Sequence, residues 1–188
     1  CRHIFLCEDD IRIVHPNLCD DYIRTSERTG ILHFNFAYHG PRNKSPQGVP
    51  TPRKVVDYGA GISVGLNLHL VGAFSYYRED VLRACGLIDT AYRNMLDHVD
   101  HTNRIIRGGF HPPFWWFADL AESWRFIDDL DPDLSKSNMG YNRRLSSAFF
   151  LISNLYFSLK NGFLVQNVPN LEEKEVDYVL TELKRKFA

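Results

Sequence analysis

Three consecutive acidic residues follow the first apolar run of the chain. The run His3–Cys7 has the composition of a short buried strand, and Glu8, Asp9 and Asp10 come directly after it. In open α/β sheets, ligands bind outside the carboxyl ends of strands. Adjacent carboxylates repel one another, and a divalent cation such as Mn²⁺ or Mg²⁺ relieves this repulsion and bridges to phosphate oxygens. The pattern therefore predicts a metal and phosphate site, with a solvated acidic turn as the alternative.

A second polar group falls in a segment for which we predict a helix from about residue 97 to 107. Asp97, His98 and Asp100 could supply a general base or metal ligands. Arg104 stands four residues after Asp100, where it can orient that acid. Acidic residues also favour helix N-termini for electrostatic reasons alone. The segment is a candidate catalytic helix, with an ordinary helix start as the alternative.

Small and aromatic residues mark two further candidate positions. Gly72 and Ala73, followed by Phe74, would let the backbone approach a ligand closely, although a glycine bulge in a strand has the same sequence. Trp115 and Trp116 lie in an aromatic cluster. Most buried aromatic residues belong to the core. We expect one of the two tryptophans to stack on a sugar ring and the other to pack in the core.

The acidic segment, the Gly72 segment and the segment from residue 97 occur in an order that resembles the GT-A-fold glycosyltransferases. The resemblance is in particular to the large inverting bacterial family that makes capsule and lipopolysaccharide glycans. The resemblance rests on the strand that ends in Glu-Asp-Asp, on G-A-F-x-x-x-R-x-x-V-L-x-x-x-G-L-I-D from residue 72 to 89, and on D-x-x-D-x-x-x-R-I-x-x-G-G-F from residue 97 to 110. It covers about residues 3–125. The order of the three motifs is more specific than any one of them.

The resemblance implies metal-dependent transfer of a sugar from a nucleotide-sugar donor to a glycan or glycolipid acceptor. By this resemblance Asp10 is the direct Mn²⁺ or Mg²⁺ ligand. Asp9 lies near the metal and the ribose or sugar, and Glu8 supports both acids. The segment 72–74 flanks the donor sugar and the acceptor.

The sequence departs from the family pattern in three places. His98 stands where the family has the acid that acts as general base, so either Asp97 or His98 takes that role. The family's later histidine ligand has no clear counterpart, and Asp119 is a weak substitute. The family carries a nucleotide-binding half before the acidic strand, so we expect that half to be missing or truncated here. This leaves two rival functions: a non-catalytic carbohydrate-binding or assembly module, and a metal-dependent phosphoryl-transfer or hydrolytic enzyme.

Composition excludes some classes of partner. The 188 residues carry a net charge of −1, whereas nucleic-acid-binding proteins usually show a basic excess. No apolar run is long enough to span a bilayer. The four cysteines show no C-x-x-C spacing, so we expect buried, reduced thiols. These features lead us to expect a cytoplasmic protein, at most peripheral to the inner face of a membrane.

The elements that must position these residues alternate between strands and helices, which predicts an α/β fold, here a GT-A-like mixed sheet flanked by helices. We expect a catalytic part over residues 1–125 and a helical extension over 126–188 that packs on it. Residues 144–160 are apolar around most of a helix circumference, and such a helix is buried. The tail therefore packs on the sheet, on another chain in an oligomer, or on a membrane surface.

Overall fold

The computed structural model describes residues 1–92, 95–130 and 143–188. Within these ranges the chain forms five α-helices and eight strands, and the strands make three small sheets. The expected α/β class is confirmed. The described strands pair only in the antiparallel sense, in three sheets where the sequence predicted one mixed sheet.

The first sheet has strand β6 (Phe74–Arg78) at its centre, between β1 (His3–Cys7) and β3 (His33–Asn35). Aromatic and β-forming residues fill β6, and its first four residues are buried. The antiparallel register pairs Cys7 with Phe74. The carboxyl end of β1 therefore meets the beginning of β6.

The second and third sheets join distant parts of the chain. Strands β4 (Lys54–Asp57), β5 (Ser63–Asn67) and β7 (Phe117–Leu120) form one sheet in that order. Strand β2 (Ile11–Ile13) pairs with β8 (Ile127–Asp129) in the other. The expected boundary between residues 125 and 126 falls just before β8, and the pairing of β8 with β2 attaches it to the N-terminal part.

Each of the first three helices is followed by a glycine, and the third spans the segment for which the sequence predicts a helix. Helix α1 (Leu18–Thr29) ends at Gly30, whose φ of 73° is left-handed and whose missing Cβ leaves room for the carbonyl of Leu183. Helix α2 (Glu79–Cys85) and helix α3 (Asp97–Arg107) are likewise followed by glycines.

The C-terminal part contains α4 (Arg143–Asn161) and α5 (Glu173–Phe187). Helix α5 begins with a capping box between Glu172 and Glu175. Its apolar stripe is buried in the main core, so this part of the tail packs as expected. That stripe consists of Val176, Leu180 and Leu183.

Helix α4 behaves differently from the expectation that an apolar helix is buried all round. Phe157 and Ser153 face the protein and are buried, whereas Leu151 and Leu159 are 71% and 77% exposed. Only one side of α4 therefore contributes to the core. Within the described residues, none of the helices combines the length and the apolar character that a bilayer crossing requires.

The cysteines are free thiols, as expected. The expectation that they are buried is wrong, because Cys1, Cys7 and Cys19 are exposed and Cys85 is only partly buried. Their positions on the outer side of short elements explain the difference, since a side chain at the end of an edge strand or on the polar face of a helix meets solvent.

Candidate functional site

Backbone pairing brings the acidic segment against the Gly72 segment. Because β1 and β6 run antiparallel, the ladder continues one step past Cys7, and the Glu8 N–H donates to the Ala73 carbonyl at 2.9 Å. Asp9 is exposed at the turn that follows. Two of the three sequence-predicted segments are therefore neighbours.

The N-terminus of α3 completes this arrangement. The imidazole of His98 lies with Nε2 3.2 Å from the Glu8 Oε1 and 3.8 Å from the Asp97 carboxylate. A Cβ on Gly72 would lie 2.6 Å from that Nε2, so only glycine leaves room for the ring. We call the group of Glu8, Gly72, Asp97 and His98 the Glu8–His98 site.

The backbone just before α3 has an unusual conformation. Leu96 has a φ of 65°, a left-handed value that a leucine rarely adopts. This turn sets the direction in which α3 leaves and thus presents Asp97 and His98 to the end of β1. Backbone strain of this kind clusters at functional sites.

Electrostatics couple the members of the Glu8–His98 site. Burial lowers the pKa of His98, but the hydrogen bond to Glu8 and the charges of Asp97 and Glu8 outweigh it and raise that pKa above 6.5. The same hydrogen bond lowers the pKa of Glu8. Only 14% of the His98 side chain is exposed, compared with 30% for Asp97. Asp97 is therefore the more accessible acceptor for a substrate proton.

A second group of charges surrounds Asp10. His39 Nε2 lies 3.4 Å from Asp10, and its Nδ1 lies 2.7 Å from the carboxylate of Asp129. Lys44 and the N–H of Gly40 contact the other oxygen of Asp129 at 3.3 Å and 3.0 Å. We call Asp10, His39, Lys44 and Asp129 the Asp10 cluster. The hydrogen bond to Asp129 raises the pKa of His39, and the charges of Asp10 and Glu8 add to this effect.

His39 and Asp129 are not among the candidate residues that the sequence predicts. Asp129 lies beside Asp10 because the β2–β8 register places it opposite Ile11. Neither His39 nor Asp129 is near Asp10 in sequence, so no local motif contains the three together. The loop that precedes β4 contributes Lys44.

One atom of the Asp10 cluster fits a metal ion. The Asp10 Oδ1 is buried and has no hydrogen-bond partner, which is costly for a carboxylate oxygen. Over the ranges that the structure describes, no group of three or more His, Cys, Asp or Glu side chains is arranged to hold a metal ion. Mg²⁺ sites commonly use one or two protein carboxylates together with substrate phosphates. Asp10 therefore fits a cation that a bound diphosphate helps to hold.

Asp100, the third sequence-predicted acid, does not line either group. Its carboxylate has no exposed surface and contacts Arg104 at 3.1 Å, Lys160 at 2.8 Å and Asn161 at 3.2 Å. The predicted Asp100–Arg104 pair is thus present, but it faces α4. Because the carboxylate is buried and fully partnered, its role is to hold α3 and α4 together.

The tryptophans lie against the C-terminal segment. Trp116 is buried, with the guanidinium of Arg53 3.7 Å above its ring, so its face is occupied. Trp115 is partly buried, and both indole N–H groups donate to carbonyls between residues 168 and 171. Trp115 remains a candidate for sugar stacking. Asp119, the weak substitute ligand, is buried and accepts hydrogen bonds from Tyr22, Ser123 and the N–H of Ala37.

A cavity of about 510 Å³ lies in another part of the molecule. It is lined by Trp124, Val49 and Val55, with Arg24 and Glu122 at its margin, and by none of the sequence-predicted site residues. The candidate chemistry and this cavity are therefore separate features.

The chain matches no protein-family model, no curated protein and no solved structure.

Proposed function

We propose that this chain is the catalytic part of a metal-dependent glycosyltransferase, which moves a sugar from a nucleotide-sugar to a hydroxyl group of a glycan or glycolipid with inversion. The observation that supports this proposal is the convergence of three segments distant in sequence. Glu8, the Gly72–Ala73 segment and His98 at the N-terminus of α3 are in contact, and Asp9 and Asp10 follow Glu8 in the chain. We further propose a GT-A-type fold and action in the cytoplasm, in the synthesis of capsule or related polysaccharides.

Each group of the site has a role in this proposal. Asp10, with Asp9 beside it, holds Mn²⁺ or Mg²⁺, which neutralises the charge of the leaving diphosphate. Asp97 accepts the proton of the acceptor hydroxyl, and His98 is the alternative base. Glu8 holds the imidazole of His98 next to Asp97 through the 3.2 Å contact. A positioned base contributes about 10²- to 10⁴-fold to the rate.

The metal role is tested by thermal unfolding with Mn²⁺ and a nucleoside diphosphate. A ligand at 100 times its dissociation constant stabilises a protein by about 2.7 kcal/mol. Asp10→Asn should lose most of this gain. Asp128→Asn is the matched control, because Asp128 is an exposed surface carboxylate paired with Arg12. An equal Mn²⁺ response of the wild type and Asp10→Asn would contradict the metal assignment.

The reaction itself is tested by product analysis with nucleotide-sugars and glycan acceptors. A glycosylated product supports transfer, whereas release of phosphate or free sugar alone would support the hydrolytic or phosphoryl-transfer rival. Asp97→Asn should lower turnover by about 10²-fold or more with unchanged donor binding. If His98→Ala has that effect instead, and the wild-type rate rises through a pKa above that of an ordinary histidine, His98 is the base.

A further inference from the structure

The exposed side of α4 is an apolar surface in contact with solvent. Leu151, Ile152, Leu155 and Leu159 are 71%, 61%, 61% and 77% exposed. At about 100° per residue these four side chains fall within roughly 100° of the helix circumference. From residue 148 to 159 this arc contains only apolar side chains, and Ser158 and Asn154 lie beside it, between Leu151 and the half-exposed Phe150.

The opposite side of α4 is held firmly by the protein. Phe157 is fully buried, Tyr156 and Lys160 contact Asp89 at 3.1 Å and 2.7 Å, and Lys160 also reaches Asp100. The exposed side is therefore not the result of a loosely attached helix. A helix that is fixed on one side and apolar on the other requires a non-aqueous neighbour for the apolar side.

The size of the surface argues against a second copy of the chain. A buried aliphatic side chain removes on the order of 100 Å² from water, so the four exposed side chains offer roughly 300 Å². A stable interface buries about 800 Å² on each partner and includes about ten hydrogen bonds. The arc has no polar side chain with which to specify a protein partner.

Charge favours lipid. The sequence of α4 begins with two basic residues, Arg143 and Arg144, and the helix contains no acidic residue, which suits an anionic headgroup layer. Helices with an apolar face and basic residues bind in the plane of the membrane interface. We propose that α4 attaches the protein to an anionic lipid surface by inserting this apolar face.

The attachment goes beyond the proposed function and does not depend on it. If both hold, the contacts of Lys160 and Asn161 with Asp100 connect the lipid-bound helix directly to α3, which carries Asp97 and His98. The acceptor would then be presented at the membrane, as a glycolipid is.

The test is flotation of the full chain with vesicles of phosphatidylcholine and phosphatidylglycerol, with no donor or metal. The wild type should float, and Leu151→Ser combined with Leu159→Ser should lower the partition coefficient by about tenfold or more. Tyr178→Ser on α5, where Tyr178 is 69% exposed, is the matched control and should float as the wild type does. Because both leucines are mostly exposed, the double variant should unfold at the wild-type temperature.

Three outcomes would overturn the proposal. One is equal flotation of the wild type and the double variant. Another is a wild type that stays in solution and forms dimers in sedimentation velocity, which would identify a second copy as the occupant. The third is a wild type that stays in solution as a monomer, which would mean that the chain itself covers the face.

Discussion

Replacing Gly72 by alanine tests the packing at the centre of the Glu8–His98 site. The φ of Gly72 lies outside the left-handed region, so its backbone accepts an alanine, but the new Cβ would lie 2.6 Å from the His98 Nε2 and 2.7 Å from its Cγ. Carbon atoms in contact prefer about 3.5–4.0 Å. The imidazole or the strand must therefore move by about 1 Å, and the contact of His98 with Glu8 is lost.

The cost follows from overpacking. Forcing extra atoms into a packed site usually destabilises a protein by about 1–3 kcal/mol. For a chain of this length, 1 kcal/mol corresponds to about 2–4 °C in Tm. Gly65→Ala is the matched control, because a Cβ there would meet Tyr38 and Ala121 at 3.5 Å and 3.6 Å, which is ordinary contact. We expect Gly65→Ala to change stability by less than about 1 kcal/mol.

The decisive measurement is a double-mutant cycle by urea unfolding. His98→Ala removes the ring atoms that a Cβ at position 72 would meet. In that background Gly72→Ala should cost no more than about 0.5 kcal/mol, which gives a coupling energy of about 1–3 kcal/mol between the two positions. If Gly72→Ala costs the same with and without the His98 ring, the close approach of Gly72 and His98 is refuted.

Two further predictions concern the whole fold. Burial lowers the pKa of both His101 and His111 to about 4. The unfolded chain therefore binds more protons than the native state between about pH 6.5 and 4. As the pH falls through that window, each histidine lowers the free energy of unfolding by about 1.4 kcal/mol per pH unit. Burial raises the pKa of Asp119 to about 6, which offsets one of them below pH 6. Burial also lowers the pKa of His33, which adds to the loss, so urea unfolding should show a net loss of at least about 3 kcal/mol from pH 6 to 4. A constant unfolding free energy over this range would contradict the prediction. Lys160→Met should destabilise the protein by about 1–3 kcal/mol because it leaves the buried Asp100 with fewer partners. The control is Lys174→Met, which removes an ion pair with Glu172 whose side chains are 80% and 71% exposed. It should have no measurable effect in the same unfolding assay.

Local sequence signals were sufficient for several elements. The apolar run that ends in acids predicts β1, and the segment from about residue 97 to 107 predicts α3, because these patterns depend on residues close together in the chain. The proximity of residues 8–10, 72–74 and 97–98 was expected only through the family resemblance. Without that resemblance, the sequence does not predict that these three segments lie close together.

Contacts between distant residues were beyond the sequence. The pairing of Ile11 with Asp129 and the contact of His39 with both acids depend on a strand register that no local pattern specifies. The burial of Asp100 depends on where α4 packs. If α4 packed elsewhere, Asp100 would be exposed at the start of α3, where a catalytic acid could act. Apolar residues occur on both sides of α4, so the burial of Phe157 and the exposure of Leu151 and Leu159 depend on packing.

The pairing of β2 with β8 also sets a time at which the Asp10 cluster can form during biosynthesis. A ribosome adds about 5–20 residues per second, so Asp129 is made roughly 6–24 s after Asp10. During that interval β2 is an unpaired edge, and the cluster lacks the carboxylate that orients His39. Contacts that close such long loops form slowly, so we expect the acidic turn to reach its final geometry late in folding, after the hairpin of β4 and β5. Until then the nascent chain presents its acids without the histidine and lysine that accompany them in the native fold.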